Sequence, residues 1–421
     1  MEDLIHLALI WAGVFVAAYL AHKTKLTPVL YYLAFGAAMV NLGVLPEESS
    51  QFIRVFAELG IILIMFALGF EENSGNFVRS IRRSWGIAFF GAVAPFFTAY
   101  YLTLEFWGNS NLSLLCGLAM TATAVSLTMV SLRSENLHTS PAATGIMTSA
   151  VIDDIASLAL VAIVVPVVTG AGVASASEVG LIVVKTLLFF ASVMVLGLLV
   201  FPSRPGGLFS WVPFMGRLGL QDLLGMAGGR MATLVMLLLA LIVGLLAHEF
   251  GFHPAVGAYM AGLVLKEEYF RLGTDPGHSR YDETRRIIDD VAFVWIGPVF
   301  FVTLGTKLVL DPAIFVSVIP QTAILTISLF VAQVASAGLA ARYTGRFSFE
   351  ESMMIGFGML GRAELAFVVM DIGYVQHDIL STEAFYTLMF TAFWLNVAVP
   401  ITIKLWKPYL AGERSFGSVS D

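Results

Sequence analysis

Long apolar runs separated by short polar segments recur from one end of the chain to the other. A bilayer core of ~30 Å needs about 20 apolar residues in a helix, and most of the runs approach that length. The pattern therefore predicts an all-α polytopic protein with about 13 transmembrane helices. The runs lie at residues 3–21, 28–44, 53–70, 84–107, 112–133, 142–169, 179–201, 231–248, 254–266, 287–306, 312–341, 350–372 and 383–405.

The positions of the 23 Lys and Arg residues support this number of spans. Basic residues gather in the cytoplasmic loops of membrane proteins. With the N-terminus outside, most of them fall in alternate, cytoplasmic segments, and the exceptions are Arg54, Lys185, Lys307 and the intramembrane Arg362. Leaving out the short run at 254–266 would move the later basic loops outside. We therefore expect the N-terminus outside and the C-terminus in the cytoplasm.

The composition agrees with a protein that is embedded in the lipid bilayer. Hydrophobic residues make up 58% of the chain and charged residues only 13%, against roughly 25% charged in soluble proteins. One cysteine, Cys116, is too few for a disulfide framework. We expect no nucleic acid partner, because there is no basic block, and no cofactor. The first run lacks a basic n-region, so we interpret it as a retained helix.

Two stretches of the chain resemble each other. Leu-Thr-Pro-Val-Leu-Tyr-Tyr-Leu-Ala-Phe-Gly at 26–36 aligns with Phe-His-Pro-Ala-Val-Gly-Ala-Tyr-Met-Ala-Gly at 252–262, with Pro and Gly in register. Each is followed by a Gly-rich helix, at 60–69 and 297–305. The copies would enter from opposite sides, so they predict inverted repeats, the architecture of secondary transporters. Chance similarity between apolar helices is the alternative.

The repeats predict a division of the chain into consecutive parts. These are an N-terminal transmembrane helix (1–24), a first inverted five-helix repeat (25–170), linker helices (171–250), a second inverted repeat (251–407) and a short cytoplasmic tail (408–421).

Two predicted spans have compositions typical of helices broken at membrane depth. Residues 120–128 contain several hydroxyl side chains, and residues 356–364 contain three glycines beside Arg362 and Glu364. Hydroxyls can bind backbone groups that unwinding frees, and glycine tolerates unusual dihedral angles. We expect the two broken helices to cross, with Arg362 and Glu364 neutralising the exposed helix ends. Continuous helices with an Arg362–Glu364 ion pair are the alternative.

Adjacent carboxylates, Asp153 and Asp154, lie in the middle of the run at 142–169. An aspartate at the centre of a membrane helix costs about 2.5 to 3.5 kcal/mol, which indicates a function. Neighbours on a helix point about 100° apart, so one carboxylate can face the crossing and the other a neighbouring helix. A carboxylate there can hold a proton or a monovalent cation, but not both, which suffices for exchange. A buried pair satisfied by hydroxyls is the alternative.

Other functions receive less support from the sequence. His248 and His253 resemble a zinc protease motif, but the second histidine stands at i+5 where i+4 is needed. An intramembrane aspartyl protease would need its two acids on separate helices. An ion channel or membrane sensor on the same scaffold remains open, although a channel should show a polar stripe along several helices.

These motifs together resemble the monovalent cation:proton antiporter-2 family, the bacterial sodium/proton and potassium/proton exchangers. The resemblance implies a homodimer in a bacterial inner (plasma) membrane, in which a core domain moves against a dimerisation domain. It also implies that Asp154 binds the transported ion, that Asp153 pairs with a basic residue, and that Thr123 lines the site. We add Ser126, from the same break, to the ion- and proton-binding residues, and Asn396, in the last helix, as a supporting residue.

The sequence departs from this family in two places. Electrogenic members carry a lysine in the span that is here 312–341, where the best match is Gln333. We therefore expect electroneutral, one-for-one exchange of Na⁺, or else of K⁺ or Li⁺, for H⁺. The chain also stops shortly after Lys407, so we expect no soluble regulatory domain of the kind that potassium-efflux members carry.

Overall fold

A computed structural model describes most of the 421 residues. Most of the predicted span at 179–201 and most of the predicted tail at 408–421 lie outside the described residues. Those described are 1–24, 26–71, 74–170, 180–181, 184–185, 188–189, 191–193, 224–225, 229–250, 252–265, 267–270, 280–309, 311–362 and 364–410.

The described residues form helices joined by short connections, which confirms the all-helical prediction. In chain order the helices are α1 (Glu2–Thr24), α2 (Pro28–Asn41), α3 (Gln51–Glu71), α4 (Ser74–Trp107), α5 (Ser110–Ala119), α6 (Val125–Ser134), α7 (Pro141–Thr169), α8 (Ala232–Glu249), α9 (Pro254–Val264), α10 (Arg280–Asp290), α11 (Gly297–Gly305), α12 (Pro312–Tyr343), α13 (Phe349–Gly358), α14 (Glu364–Asp371) and α15 (Thr382–Leu410). Wider π turns follow α10 and α14.

Short-range sequence signals begin several of these helices. Helices α2, α9 and α12 each start with a proline, whose missing N–H is not needed in a first turn. Asp311 caps α12 by accepting a hydrogen bond from the amide of Ala313 at 2.8 Å. His253, one of the two candidate zinc ligands, caps α9 in the same way through Nδ1, which accepts from the amide of Ala255.

Eight helical stretches among the described residues are long and apolar enough to cross a membrane. They are Glu2–Thr24, Gln51–Phe70, Ser84–Trp107, Pro141–Thr169, Ala232–Glu249, Tyr281–Gly305, Pro312–Tyr343 and Thr382–Leu410. Shorter apolar helices, α2, α5 and α9, lie in three more of the predicted spans. The protein is therefore a multi-pass membrane protein.

The chain divides into two compact units, each made of three separate stretches. The first unit contains 1–14, 49–76 and 165–300, and the second contains 15–48, 77–164 and 301–421.

In the first unit, α3 and α9 cross at two glycines. A Cβ atom on Gly262 would collide with the carbonyl oxygen of Phe66, and a Cβ atom on Gly69 would collide with that of Tyr259. The two backbones therefore approach more closely than any larger residue would allow.

In the second unit, α2 and the end of α11 cross in the same manner. A Cβ atom on Gly36 would collide with the carbonyl oxygen of Val302, and one on Gly305 would collide with that of Leu33. Also in this unit, α12 packs against α13 and α15, and α14 packs against α5.

Candidate ion-binding site

Two interruptions of the helical path meet in the second unit. The chain leaves the helix after Ala119 and re-enters it at Val125, and it does so again between Gly358 and Glu364. Both interruptions fall within the segments that the sequence predicted to be broken. The amide of Ala124 donates to the carbonyl oxygen of Gly361 at 2.9 Å, so the two breaks contact each other directly.

Small and hydroxylic residues make this contact possible. The Thr128 hydroxyl donates to the carbonyl oxygen of Gly358 at 2.6 Å, from one interrupted helix to the other, and the Thr121 hydroxyl donates to the carbonyl oxygen of Gly117. A Cβ atom on Gly361 would lie only 2.9 Å from that of Ala124. The hydroxyls thus satisfy carbonyl groups next to the breaks, as expected at membrane depth. The side chain of Ser126 lies outside what the structure describes.

Arg362 caps the open end of α13. Its side chain is 1% exposed, and Nη1 donates to three carbonyl oxygens, at 3.2, 3.1 and 3.0 Å. Those oxygens belong to Met359, Leu360 and Gly361, which follow the last helical residue. The cation therefore lies at the negative end of a half-helix. Glu364, 9% exposed, is the first residue of α14 and lies at the positive end of the next half-helix.

Gln333 and Asn396 hold Arg362 in place. The Gln333 Oε1 atom accepts from Arg362 Nη2 at 2.8 Å, and its Nε2 atom donates to the carbonyl oxygen of Gly91. The Asn396 side chain bonds both sides of the Arg362 backbone, since it accepts from the amide at 2.9 Å and donates to the carbonyl oxygen at 2.7 Å. Both side chains are fully buried. The two supporting residues thus converge on one arginine.

Asp153 binds the first break. Its Oδ2 atom accepts from the Thr123 hydroxyl at 2.9 Å and from the Thr123 amide at 3.2 Å, and the side chain is fully buried. Its other oxygen, Oδ1, has no hydrogen-bond donor among the described residues. Asp153 and Arg362 also attract each other electrostatically. Arg362, at the second break, is therefore a charge that stabilises the Asp153 carboxylate.

Asp154 has a different environment from its neighbour. It follows Asp153 on α7, about 100° further round the helix, and its side chain is only half-buried. The structure thus separates the two carboxylates: one is enclosed by the break, and the other is partly accessible.

Two serines near Asp153 were not among the site residues predicted from the sequence. Ser149 and Ser157 stand four residues before and after Asp153, so they share its helix face, and both are fully buried. Ser149 donates to the carbonyl oxygen of Gly145, whereas the Ser157 hydroxyl has no partner among the described residues. The i±4 spacing was the signal that could have identified them.

Comparisons with known proteins show the family of the chain. Residues 11–406 match the family described as "Sodium/hydrogen exchanger, transmembrane". The chain is 24% identical over 357 residues to a probable Na⁺/H⁺ antiporter, GerT, of Bacillus cereus, with 85% of this chain and 86% of the relative covered. It is 22% identical over 406 residues to a Na⁺/H⁺ antiporter of Enterococcus hirae, with 96% and 98% covered.

A solved structure has the same fold. The sodium proton antiporter MjNhaP1 from Methanocaldococcus jannaschii, at pH 8, aligns with a TM-score of 0.70 at 14% identity, over 96% of this chain and 98% of that chain. The family match and the two relatives confirm the resemblance to the cation:proton antiporters. Because the family match spans nearly the whole membrane region, the chain belongs to the sodium/hydrogen exchanger family and is a membrane transporter, not an enzyme.

Proposed function

We propose that this protein exchanges Na⁺ for H⁺, one for one, at Asp154. The observation that carries the proposal is the pair of contacting breaks, with Asp153 bound to one and Arg362 capping the other. Such paired breaks provide polar backbone and side-chain groups at membrane depth, where a transported ion must lose its water. Family membership supports cation/proton exchange as the reaction.

The two aspartates would have separate roles. Asp153 is fully enclosed and already accepts two hydrogen bonds from Thr123, so it suits a positioning role at the break. Asp154 is half-buried, and an exchanged ion needs a ligand that it can reach. A carboxylate oxygen there binds either a proton or a small cation. Exposing Asp154 alternately to the two sides would then couple the two fluxes.

Arg362 and Glu364 would stabilise the breaks electrostatically. Each half-helix end carries about half an elementary charge, negative at the carboxyl end and positive at the amino end. Arg362 meets the carbonyl groups after α13, and Glu364 begins α14. These contacts favour the neutralising role over a simple ion pair between the two residues.

The groups around Gln333 support one-for-one exchange. A neutral amide cannot carry a second proton, and the cation near Asp153 is an arginine, which stays protonated. In this account Asp154 is the single titrating carrier. One Na⁺ replaced by one H⁺ at that carboxylate moves no net charge across the membrane.

The reciprocal glycine crossings support the inverted repeats. In the predicted alignment Gly36 corresponds to Gly262, and Gly69 and Gly305 each end the Gly-rich stretch that follows. The contact of Gly36 with α11 then has its counterpart in the contact of Gly262 with α3, within the other unit. We extend the proposal to about 13 spans, a homodimer with core and dimerisation domains, and the N-terminus outside.

The test uses proteoliposomes that contain an internal pH dye, with Na⁺, K⁺ or Li⁺ salts added in turn. Wild-type protein should move protons in response to Na⁺, and Asp154→Asn should not, although it folds normally. A response to K⁺ in place of Na⁺ would make the protein a K⁺/H⁺ antiporter. Proton movement that needs no added cation, or that persists in Asp154→Asn, would contradict the proposal and favour a channel.

A further inference from the structure

An open apolar groove of about 830 Å³ lies in the second unit, away from the paired breaks. It is lined by α2, α12 and α15, for example by Ala34, Ala323 and Phe393. Helices α12 and α15 are long enough to span the bilayer, so the groove lies at membrane depth. Side chains along it are exposed, and Trp394 is 55% exposed. Acyl chains are the material that surrounds such a surface.

A polar pocket of about 440 Å³ lies at the start of α15, and Lys307, in the connection before α12, also lines it. It holds three carboxylates, from Glu47, Asp378 and Glu383, and one ammonium group, from Lys307. Lys307 Nζ donates to the backbone carbonyl oxygen of Glu47 at 2.8 Å. A lysine has three N–H donors, so it keeps capacity for an anion.

The polar pocket and the apolar groove adjoin. Lys307 lines the pocket, and the next residue, Leu308, lines the groove. On α15, Glu383 lines the pocket and Phe390 lines the groove, about 10 Å further along the helix. The polar pocket, which carries both charges, thus continues into the apolar groove within one unit.

We propose that this site binds a phospholipid whose headgroup carries both a phosphate and a primary ammonium group. An acyl chain fills the groove, the ammonium group lies among the three carboxylates, and the phosphate meets Lys307. A choline headgroup has no N–H to donate, and a glycerol headgroup has no cation for the carboxylates and leaves the phosphate charge unbalanced. An apolar helix from a second copy of this chain could fill the groove, but it would bring no charged groups to bind those of the pocket.

Native mass spectrometry tests the headgroup preference. The detergent-purified protein receives equal amounts of phosphatidylethanolamine, phosphatidylcholine and phosphatidylglycerol. The ethanolamine lipid should be retained about tenfold over the others, as expected for one charged hydrogen bond. Asp378→Asn with Glu383→Gln should remove that preference. Asn suits the positive φ of 52° at residue 378. Glu48→Gln, next to the pocket, is the matched control.

Two tryptophan variants on α12 test the groove. Ala323→Trp fills it and should reduce total bound phospholipid severalfold, whereas Ile324→Trp, exposed but outside the groove, should not. Both variants must elute like the wild type. Equal retention of the three lipids, or equal binding by the two variants, would overturn the proposal. So would a change of oligomeric mass without lipid loss in Ala323→Trp, because the groove would then be a protein interface.

Discussion

Replacing Gln333 with lysine tests the electrostatics of the breaks most severely. The Gln333 oxygen lies 2.8 Å from Arg362 Nη2, so an ammonium group at this position would come within about 4 Å of the guanidinium group. Two like charges at about 4 Å repel by about 4 kcal/mol at an effective dielectric constant of about 20. Gln333→Met, similar in size, only removes the hydrogen bonds to Arg362 and Gly91, at about 1–3 kcal/mol for each group left unpaired.

The free energy of unfolding, measured by denaturant titration in mixed micelles, distinguishes these effects. Gln333→Lys should be less stable than Gln333→Met, and it should also lose transport. Combining Gln333→Lys with Arg362→Gln removes the repulsion and should recover part of the loss. If Gln333→Lys is as stable as Gln333→Met, position 333 does not contact the charge of Arg362, and our account of the capped helix end is wrong.

Other parts of the site and fold give further predictions. Thr123→Val removes the 2.9 Å hydrogen bond to Asp153, worth about 1.5–3 kcal/mol, and should slow transport in proteoliposomes, whereas Thr123→Ser should retain it. Normal rates in the valine variant would contradict the positioning role. The new methyl group of Gly36→Ala collides with the Val302 carbonyl oxygen. This variant should lower the free energy of unfolding, measured by denaturant titration, by about 1–3 kcal/mol. Gly180→Ala, at an exposed helical position with nothing within 4 Å, should raise the free energy of unfolding by up to about 1 kcal/mol. Equal effects of the two variants would refute the crossing.

The sequence predicted the parts of this protein that depend on local composition. Apolar length indicated the helices, and hydroxyl or glycine content indicated the breaks at 120–128 and 356–364. Both signals depend only on residues that are close together in the sequence. The mid-membrane charges Asp153 and Arg362 were equally visible, because a charge in an apolar run is costly wherever it points.

The contacts of those charges were beyond the sequence. The serines at i±4 mark the helix face of Asp153 on α7, but the pattern does not show which part of the chain that face contacts. Arg362 binds Gln333 and Asn396, which are 29 and 34 positions away in the chain. Such pairings depend on how whole helices pack, and a local pattern carries no information about that.

Proton release on cation binding tests the central claim most directly. Purified protein in weakly buffered detergent solution receives NaCl, and the pH change is compared with that from choline chloride. The account predicts that Na⁺ displaces up to one proton per chain from the wild type and from Glu48→Gln, and none from Asp154→Asn. Proton release that persists in Asp154→Asn, or Na⁺ binding to the wild type without any proton release, would contradict exchange at this carboxylate.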